Sequence, residues 1–176
     1  MAYHLYYGGT NIDKGGLNTA KDISEQMRLL NQAYKETDEI YYNYAKEYGI
    51  SETAFWVLYS LWDRDSAYTQ RDFCVEWYYS PKTIHSALKV LEAQGVIELA
   101  LTPGNRKNKQ ILFTAKGKAL AEKVIAPIMQ AEQDSFSDLE ETERELLLSV
   151  TQKRIALLKS RTNKILKSSS EDRLPQ

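Results

Sequence analysis

The feature that most constrains this chain is a helix whose two ends are both marked in the sequence. Ser80 is followed directly by Pro81, which is the pattern of an N-cap residue and a proline in the first helical turn. Gly95 then supplies the residue that commonly ends a helix in the left-handed conformation. The interval between these residues predicts one helix with fixed boundaries. The preceding element must therefore end before Ser80, and the next must begin after Gly95.

Two helices are predicted earlier in the chain. The segment 18–48 contains neither glycine nor proline, and its apolar residues recur at helical spacing. It predicts a long helix that ends at Gly49. A second helix is predicted from Ser51 to about Trp62. Because this helix is apolar on nearly every side, we expect it at the centre of the core.

A short helix is predicted immediately before Ser80. Thr69 and Asp72 have the spacing of a capping box, which favours a helix that begins there and ends near Trp77. Only two tyrosines then separate it from the cap of the next helix. Two helices joined by so short a link are typical of a helix-turn-helix.

A β-hairpin is predicted after Gly95. Residues 96–101 and 110–114 have the composition of short strands, and the segment 102–109 between them is rich in turn-forming and basic residues. Two more helices follow, one after Gly117 to about residue 135 and one over about 139–166. The predicted fold is mainly α with a small β-hairpin wing (α+β), a winged helix-turn-helix lobe flanked by long terminal helices. The predicted domains are a flexible arm, an N-terminal dimerisation helix, the lobe, C-terminal dimerisation helices and a disordered tail: 1–17, 18–48, 50–117, 118–167 and 168–176.

Composition excludes several classes of function. The chain is 43% hydrophobic and 27% charged, and no apolar run approaches the roughly 20 residues of a membrane span. We therefore expect a cytoplasmic protein without a membrane partner. A single cysteine, Cys74, and two distant histidines supply neither a disulfide nor a metal site, so no metal or cofactor is expected. No arrangement of acid, base and nucleophile indicates an enzyme.

Positive charge is concentrated in the middle of the chain. Residues 64–123 carry a net charge of +4, whereas the remainder carries −5. On a helical wheel, the helix after Ser80 places its apolar residues on one face and small, polar and basic residues on the other. Such a face suits the major groove of DNA, although it is also typical of an ordinary solvated helix. The candidate residues on this helix are Ser80, Lys82, Thr83, His85, Ser86 and Lys89.

Two segments carry a more specific pattern. Residues 105–117 resemble the wing of the MarR-type winged helix-turn-helix regulators, where Asp-Arg-Arg is followed by a strand and by Leu-Thr-x-x-Gly. Residues 80–97 are similar to the recognition helix of that family, which ends in Leu-Glu-x-x-Gly-x-Ile. The resemblance covers roughly residues 20–166. It departs from the family at Asn105, where aspartate is usual, and at Phe113, where leucine is usual. Ser86 occupies a position that often holds arginine.

The resemblance implies double-stranded DNA as a partner. It places Arg106 in the minor groove and the outward residues of the recognition helix in the major groove. Lys107 and Lys109 are suited to phosphate contacts, because they are basic residues close to the tip of a hairpin. The candidate residues of the wing are Asn105, Arg106, Lys107 and Lys109.

The resemblance also implies a small aromatic or amphipathic effector. The aromatic residues that could line its pocket are Tyr34, Tyr41, Trp56 and Tyr59, although at helical spacing such residues also form cores and dimer interfaces. Cys74 invites comparison with redox sensors, but its place between Phe73 and Val75 favours a buried packing role.

The sequence therefore predicts a homodimeric transcription regulator. We expect a repressor that binds a near-palindromic operator and releases it when an effector binds. The long terminal helices carry more apolar surface than a small lobe can cover, which favours a second copy of the chain as partner. The alternative is a winged-helix module that binds protein and makes no direct contact with an operator.

Overall fold

The computed structural model describes residues 22–62, 64, 68–102 and 105–171, apart from the side chains of residues 102, 105–108, 170 and 171. The predicted arm over 1–17 lies outside these residues. The chain divides after Glu52 into two compact units. No described helix could cross a membrane, and no described cluster of side chains could hold a metal ion. In chain order the elements are α1 (Asp22–Glu47), α2 (Glu52–Trp62), α3 (Gln70–Trp77), α4 (Pro81–Ala93), β1 (Ile97–Thr102), β2 (Asn105–Phe113), α5 (Ala115–Ser137) and α6 (Glu141–Glu171).

The core of the second unit includes one face of α2, as its apolar composition predicts. Phe55, Val57 and Leu58 have no accessible surface. Other elements of the unit contribute fully or almost fully buried side chains, namely Phe73, Ile84, Leu88, Leu91, Ile97, Ile111, Val124 and Ile125. Burial of each such side chain contributes about 1.5–3 kcal/mol to folding, and this core holds the helix-turn-helix and the hairpin in one lobe.

The caps of α3 and α4 are those that the sequence predicts. Thr69 accepts a hydrogen bond from the backbone amide of Asp72, whose carboxylate accepts one from the amide of Thr69. Ser80 accepts from the amide of Thr83 at 3.1 Å. Beyond α4, Gly95 has a φ of 68°. Each N-cap contributes about 1 kcal/mol, so the boundaries of both helices are fixed locally.

The turn between α3 and α4 contains a strained residue. Tyr78 caps α3 with φ 57° and ψ 24°, in the left-handed region. A residue with a Cβ atom occupies this region at a cost of roughly 1–2 kcal/mol. In the described residues, Tyr78 is the one residue other than glycine with a positive φ. The strain is therefore localised in the turn that leads into α4.

The hairpin is longer than predicted. β1 pairs antiparallel with β2, and Ile97 lies opposite Phe113, but the register is irregular between Leu101 and Thr102. The prediction that residues 102–109 form a loop was wrong for 102, which ends β1, and for 105–109, which belong to β2. Basic and amide side chains do not predict a strand, but backbone pairing with a neighbouring strand overrides such weak preferences.

α5 begins before Gly117, so the prediction that it begins after Gly117 was wrong. Thr114 is its N-cap, and the hydroxyl of Thr114 accepts from the amide of Gly117 at 3.0 Å. A Cβ atom on Gly117 would clash with the backbone carbonyl of Val96. Glycine therefore serves here to let the first turn of α5 approach the residue before β1.

The two long helices leave many apolar side chains exposed. α1 begins at the first described residue, Asp22, and the predicted start at residue 18 lies outside the described part. α6 continues to Glu171, so the predicted start of a disordered tail at residue 168 was wrong for 168–171, where neither glycine nor proline interrupts the helix. No residue in the described part of α6 is buried. Its large exposed apolar residues are Leu146, Leu147, Leu148, Val150, Ile155, Leu157, Leu158, Ile165 and Leu166.

Candidate nucleic-acid interface

Hydrogen bonds between elements hold α3 in place beside α2 and α4. The amide of the Gln70 side chain donates to the carbonyl of Pro81 at 2.8 Å, which joins the first turn of α3 to the first turn of α4. At the other end of α3, the indole of Trp77 donates to the hydroxyl of Ser60 in α2 at 2.7 Å. α3 is therefore linked at both ends, and its position determines the position of α4.

An ion pair strengthens the attachment of α3. The guanidinium of Arg64 donates to Glu76 at 2.5 Å and to the carbonyl of Ser60 at 2.9 Å. It also lies over the ring of Tyr68, 4.3 Å from the centroid, in a cation–π contact. The phenol of Tyr68 donates to Glu76 at 3.0 Å. Burial, with a further contribution from this carboxylate, raises the pKa of Tyr68 to about 12, so the phenol keeps its proton at neutral pH.

α4 presents the two faces that the wheel predicts. Ile84, Leu88 and Leu91 are buried, and Ala87 is half-buried. All six candidate residues of the recognition helix are exposed: Ser80, Lys82, Thr83, His85, Ser86 and Lys89. All six side chains are therefore accessible to a partner.

The exposed side chains of α4 differ in whether they form hydrogen bonds within the protein. The hydroxyls of Ser80 and Thr83 lie 2.7 Å apart, and Ser86 donates to the carbonyl of Lys82 at 3.0 Å. These hydroxyls keep lone pairs for a partner, but their local bonds restrict them. For Lys82, His85 and Lys89 no side-chain hydrogen bond is found within the described residues. Their donors are therefore available for a ligand.

The hairpin contributes one described cation to the same region. Lys109 is exposed on β2, and it lines a groove together with His85 of α4. Asn105, Arg106 and Lys107 belong to the backbone of β2, but their side chains lie outside those described. Their role as a wing in DNA contact therefore stays a prediction.

The groove between α3, α4 and the hairpin has a volume of about 560 Å³. Its lining combines apolar side chains with three basic residues, Arg71, His85 and Lys109. Cys74 also lines it and is half-buried, so it is more accessible than the predicted buried packing role implies. The thiol of Cys74 faces this groove, and its partial burial raises the pKa of Cys74. A thiol with a raised pKa is a poor redox sensor, because the thiolate is the reactive form.

An aromatic cluster occupies the region between α2 and α3. The rings of Trp56 and Trp77 lie 4.7 Å apart, and Tyr59 makes an edge contact with Trp56 at 5.4 Å. The phenol of Tyr59 donates to Glu132 of α5 at 2.6 Å. Trp56 and Tyr59, two of the four candidate pocket residues, therefore lie together. Tyr34 and Tyr41 belong to α1 in the other unit, and the effector pocket stays a prediction.

Sequence reasoning missed the residues that bond the C-terminal end of α4 from the start of α5. Lys116 donates to the carbonyl of Gln94 at 2.7 Å and satisfies the C-terminal end of α4. The hydroxyl of Thr114 donates to the carbonyl of Gly95 at 2.7 Å. A lysine that bonds the C-terminal end of another helix can be recognised in the sequence only when the two helices are already known to be in contact. Gln70 and Arg64 gave no signal, since their partners lie 11 and 12 residues away.

Comparison with known proteins gives one curated relative and many similar structures. No family model matches the chain. The relative is the HTH-type transcriptional repressor NicR of Pseudomonas putida, which is 27% identical over 139 residues that make up 78% of this chain and 87% of NicR. NicR is described as a transcriptional repressor, and PA3341 and MarR of Oenococcus oeni are described as transcription regulators.

The solved structures agree in fold. The transcriptional regulator PA3341 superposes with a TM-score of 0.64 at 23% identity and covers 76% of this chain and 97% of its own. MepR of S. aureus in complex with DNA gives 0.62 at 20% identity, with 80% and 99% covered. The transcription regulator MarR of Oenococcus oeni gives 0.60 at 19% identity, with 74% and 98% covered. The resemblance seen in the motifs is thereby confirmed: the chain has the winged helix-turn-helix fold of the MarR-type transcription regulators.

Proposed function

We propose that the protein is a sequence-specific regulator of transcription that binds double-stranded DNA. The observation that carries this proposal is the outward face of α4, where Lys82, His85 and Lys89 are exposed and keep their donors. Lysine and histidine donors match the acceptors that purines present in the major groove. The hairpin stands beside this face and supplies cations for the phosphates.

We further propose that the regulator is a homodimeric repressor on a near-palindromic operator. Two copies related by a two-fold axis present two recognition helices, which a palindromic site matches. The exposed apolar residues of α6 supply surface for the second copy. NicR is itself a repressor, and MepR is known in complex with DNA.

A small effector is proposed to release the DNA. Support comes from BpsR of Bordetella bronchiseptica, whose DNA binding is regulated by 6-hydroxynicotinic acid and whose structure superposes with a TM-score of 0.57 at 19% identity, covering 80% of this chain and 97% of BpsR. The proposed effector is aromatic or amphipathic, because Trp56 and Tyr59 offer half-buried rings for stacking. Tryptophan fluorescence during titration with aromatic acids tests this part.

The decisive experiment is a salt titration of DNA binding, with the duplex upstream of the protein's own gene and with an unrelated duplex. Alanine at Lys107 or Lys109 is expected to reduce the affinity for both duplexes by the same factor. It is also expected to reduce the slope of log affinity against log salt concentration by about one unit. Alanine at Arg106 is expected also to reduce the preference for sequences with a narrow minor groove. Alanine at His85 is expected to relax sequence preference by about 1–3 kcal/mol.

Lys153→Ala is the matched control, since Lys153 is an exposed lysine on α6, outside the helix-turn-helix and the hairpin. It should keep the wild-type affinity and slope. All five variants should fold as the wild type does, because substitutions at exposed positions change the free energy of unfolding by about 0.5 kcal/mol or less. Thermal unfolding checks this. Wild-type protein that binds neither duplex would contradict the proposal and favour the protein-interaction alternative. Wild-type affinity and slope in all three hairpin variants would remove the hairpin from the DNA surface.

A further inference from the structure

Tyr78 has a conformation and an environment that the packing of the lobe does not explain. Its side chain is 94% exposed, and no hydrogen bond or ring contact to it is found in the described part of the chain. Its φ of 57° is an angle that glycine adopts without strain. At Gly49 and Gly95 the same chain uses glycine for such an angle. Folding alone would favour glycine here as well, so the large side chain needs another reason.

The position of Tyr78 suggests that reason. It stands two residues before Ser80, the N-cap of α4, and so at the same end of this helix as Lys82. In helix-turn-helix proteins the N-terminal residues of the second helix reach the base edges. The sugar-phosphate strands border the groove on both sides. An exposed side chain in the turn that leads into the helix is therefore carried to the DNA backbone.

We propose that Tyr78 binds the DNA backbone beside the recognition helix. Its phenol donates a hydrogen bond to a phosphate oxygen, and its ring packs against the adjoining sugar. This inference rests on the proposed function and adds a residue to the interface. Because phosphates and sugars are the same at every base pair, Tyr78 raises affinity for all sequences alike. Because the phenol is neutral, it leaves the number of released counterions unchanged.

The strained backbone makes a sharp test possible. Tyr78→Gly removes the side chain and also the strain, so its melting temperature is expected to equal or exceed that of the wild type. Its affinity for the upstream duplex and for unrelated DNA is expected to fall by one common factor, about tenfold, with an unchanged salt slope. Tyr78→Phe keeps the ring and loses the hydroxyl, and it should show a smaller loss. Binding is measured by fluorescence anisotropy over a range of salt concentrations.

Two controls separate this effect from others. Tyr42→Phe alters an exposed tyrosine of α1, 50% accessible, and should bind DNA as the wild type does. Lys109→Ala should reduce the salt slope, whereas the Tyr78 variants should not. If Tyr78→Gly fails to fold, Tyr78→Asn takes its place, because asparagine also tolerates the left-handed region.

The outcomes are distinct. A folded Tyr78→Gly or Tyr78→Asn variant with wild-type affinity overturns the inference and leaves the proposed function standing, since the wild-type protein then binds DNA. A loss confined to the upstream duplex also overturns it, because a backbone contact cannot read sequence. If the wild-type protein binds no duplex at any salt concentration, the proposed function fails and the inference fails with it.

Discussion

Single residues in the recognition region serve both the fold and the proposed interface. Ser80 caps α4, and its hydroxyl also stands on the exposed face. Ser86 lies on the same face but donates to the carbonyl of Lys82. Loss of the Ser80 hydroxyl therefore costs about 1 kcal/mol of helix stability before any effect on DNA. His85 has no such local bond in the described residues, and its substitution reports on binding alone.

A prediction at the residue scale concerns alkaline pH. The pKa of Tyr68 is about 12 in the folded chain, above its ordinary value of 10. Its stabilising contribution is complete below pH 10, where the phenol is protonated in both states, and is lost as pH rises from 10 to 12. The expected decrease in the free energy of unfolding is about 2 kcal/mol. Tyr68→Phe should flatten this decline in a pH series of urea unfolding curves. An equally steep decline in that variant would assign the effect to other groups.

The thiol of Cys74 gives a second prediction at this scale. Since burial raises its pKa, the thiolate population at pH 7.5 is smaller than that of a free cysteine. We expect a thiol-reactive disulfide reagent to modify the folded protein more slowly than the urea-unfolded chain, and the rate to rise as pH increases above 9. Faster reaction in the folded chain at neutral pH would instead indicate an activated thiolate and revive the redox interpretation.

At the scale of elements, the junction between β1 and α5 depends on close approach of two backbones. Gly117→Ala should lower the free energy of unfolding by about 3 kcal/mol, because its methyl group would meet the Val96 carbonyl. Gly49→Ala is the control. It adds a methyl group where no atom lies within 4 Å, at a φ of 66°, and should cost about 1 kcal/mol from backbone strain alone. Equal losses in the two variants, measured by thermal unfolding, would show that contact with Val96 is unimportant.

The elements that the sequence predicted well are those with local signals. The box formed by Thr69 and Asp72, the cap at Ser80 and the left-handed Gly95 depend on residues a few positions apart, and the structure contains all three. The strand over Asn105–Lys109 was missed, because its pairing with β1 is not encoded in its own composition. The face of α4 followed from helical periodicity. The bonds from Gln70 and Lys116 that orient this face join residues distant in sequence, which no local pattern reveals.

At the scale of the whole molecule, α6 requires a covering surface. Leu158 and Ile165 lie one heptad apart on one side of this helix and are 53% and 63% exposed. We propose that a second copy of the chain covers this apolar surface in a homodimer. Stability should then depend on protein concentration, because dissociation accompanies unfolding.

The prediction for the whole molecule is a dimer at micromolar concentration in sedimentation velocity. The double variant Leu158→Lys/Ile165→Lys should sediment as a monomer, because burial of two lysines in an apolar interface is unfavourable. Ser160→Lys, an exposed position on another side of α6, should remain dimeric. The idea of a dimer through the terminal helices would be abandoned if the wild-type chain sediments as a monomer.

α5 forms hydrogen bonds near both of its ends, at one end with the residues that follow α4 and at the other with the aromatic cluster. At its start, Thr114 and Lys116 bond the end of α4, and about 27 Å further along, Glu132 accepts the phenol of Tyr59. Pro127 lies between these attachments and lacks the amide that would continue the helical ladder. α5 thus connects Tyr59 of the aromatic cluster to the end of α4, and Pro127 removes one helical hydrogen bond between the two attachments. We expect replacement of Pro127 to change the stiffness of this connection between the aromatic cluster and the proposed DNA surface without altering a side chain of either.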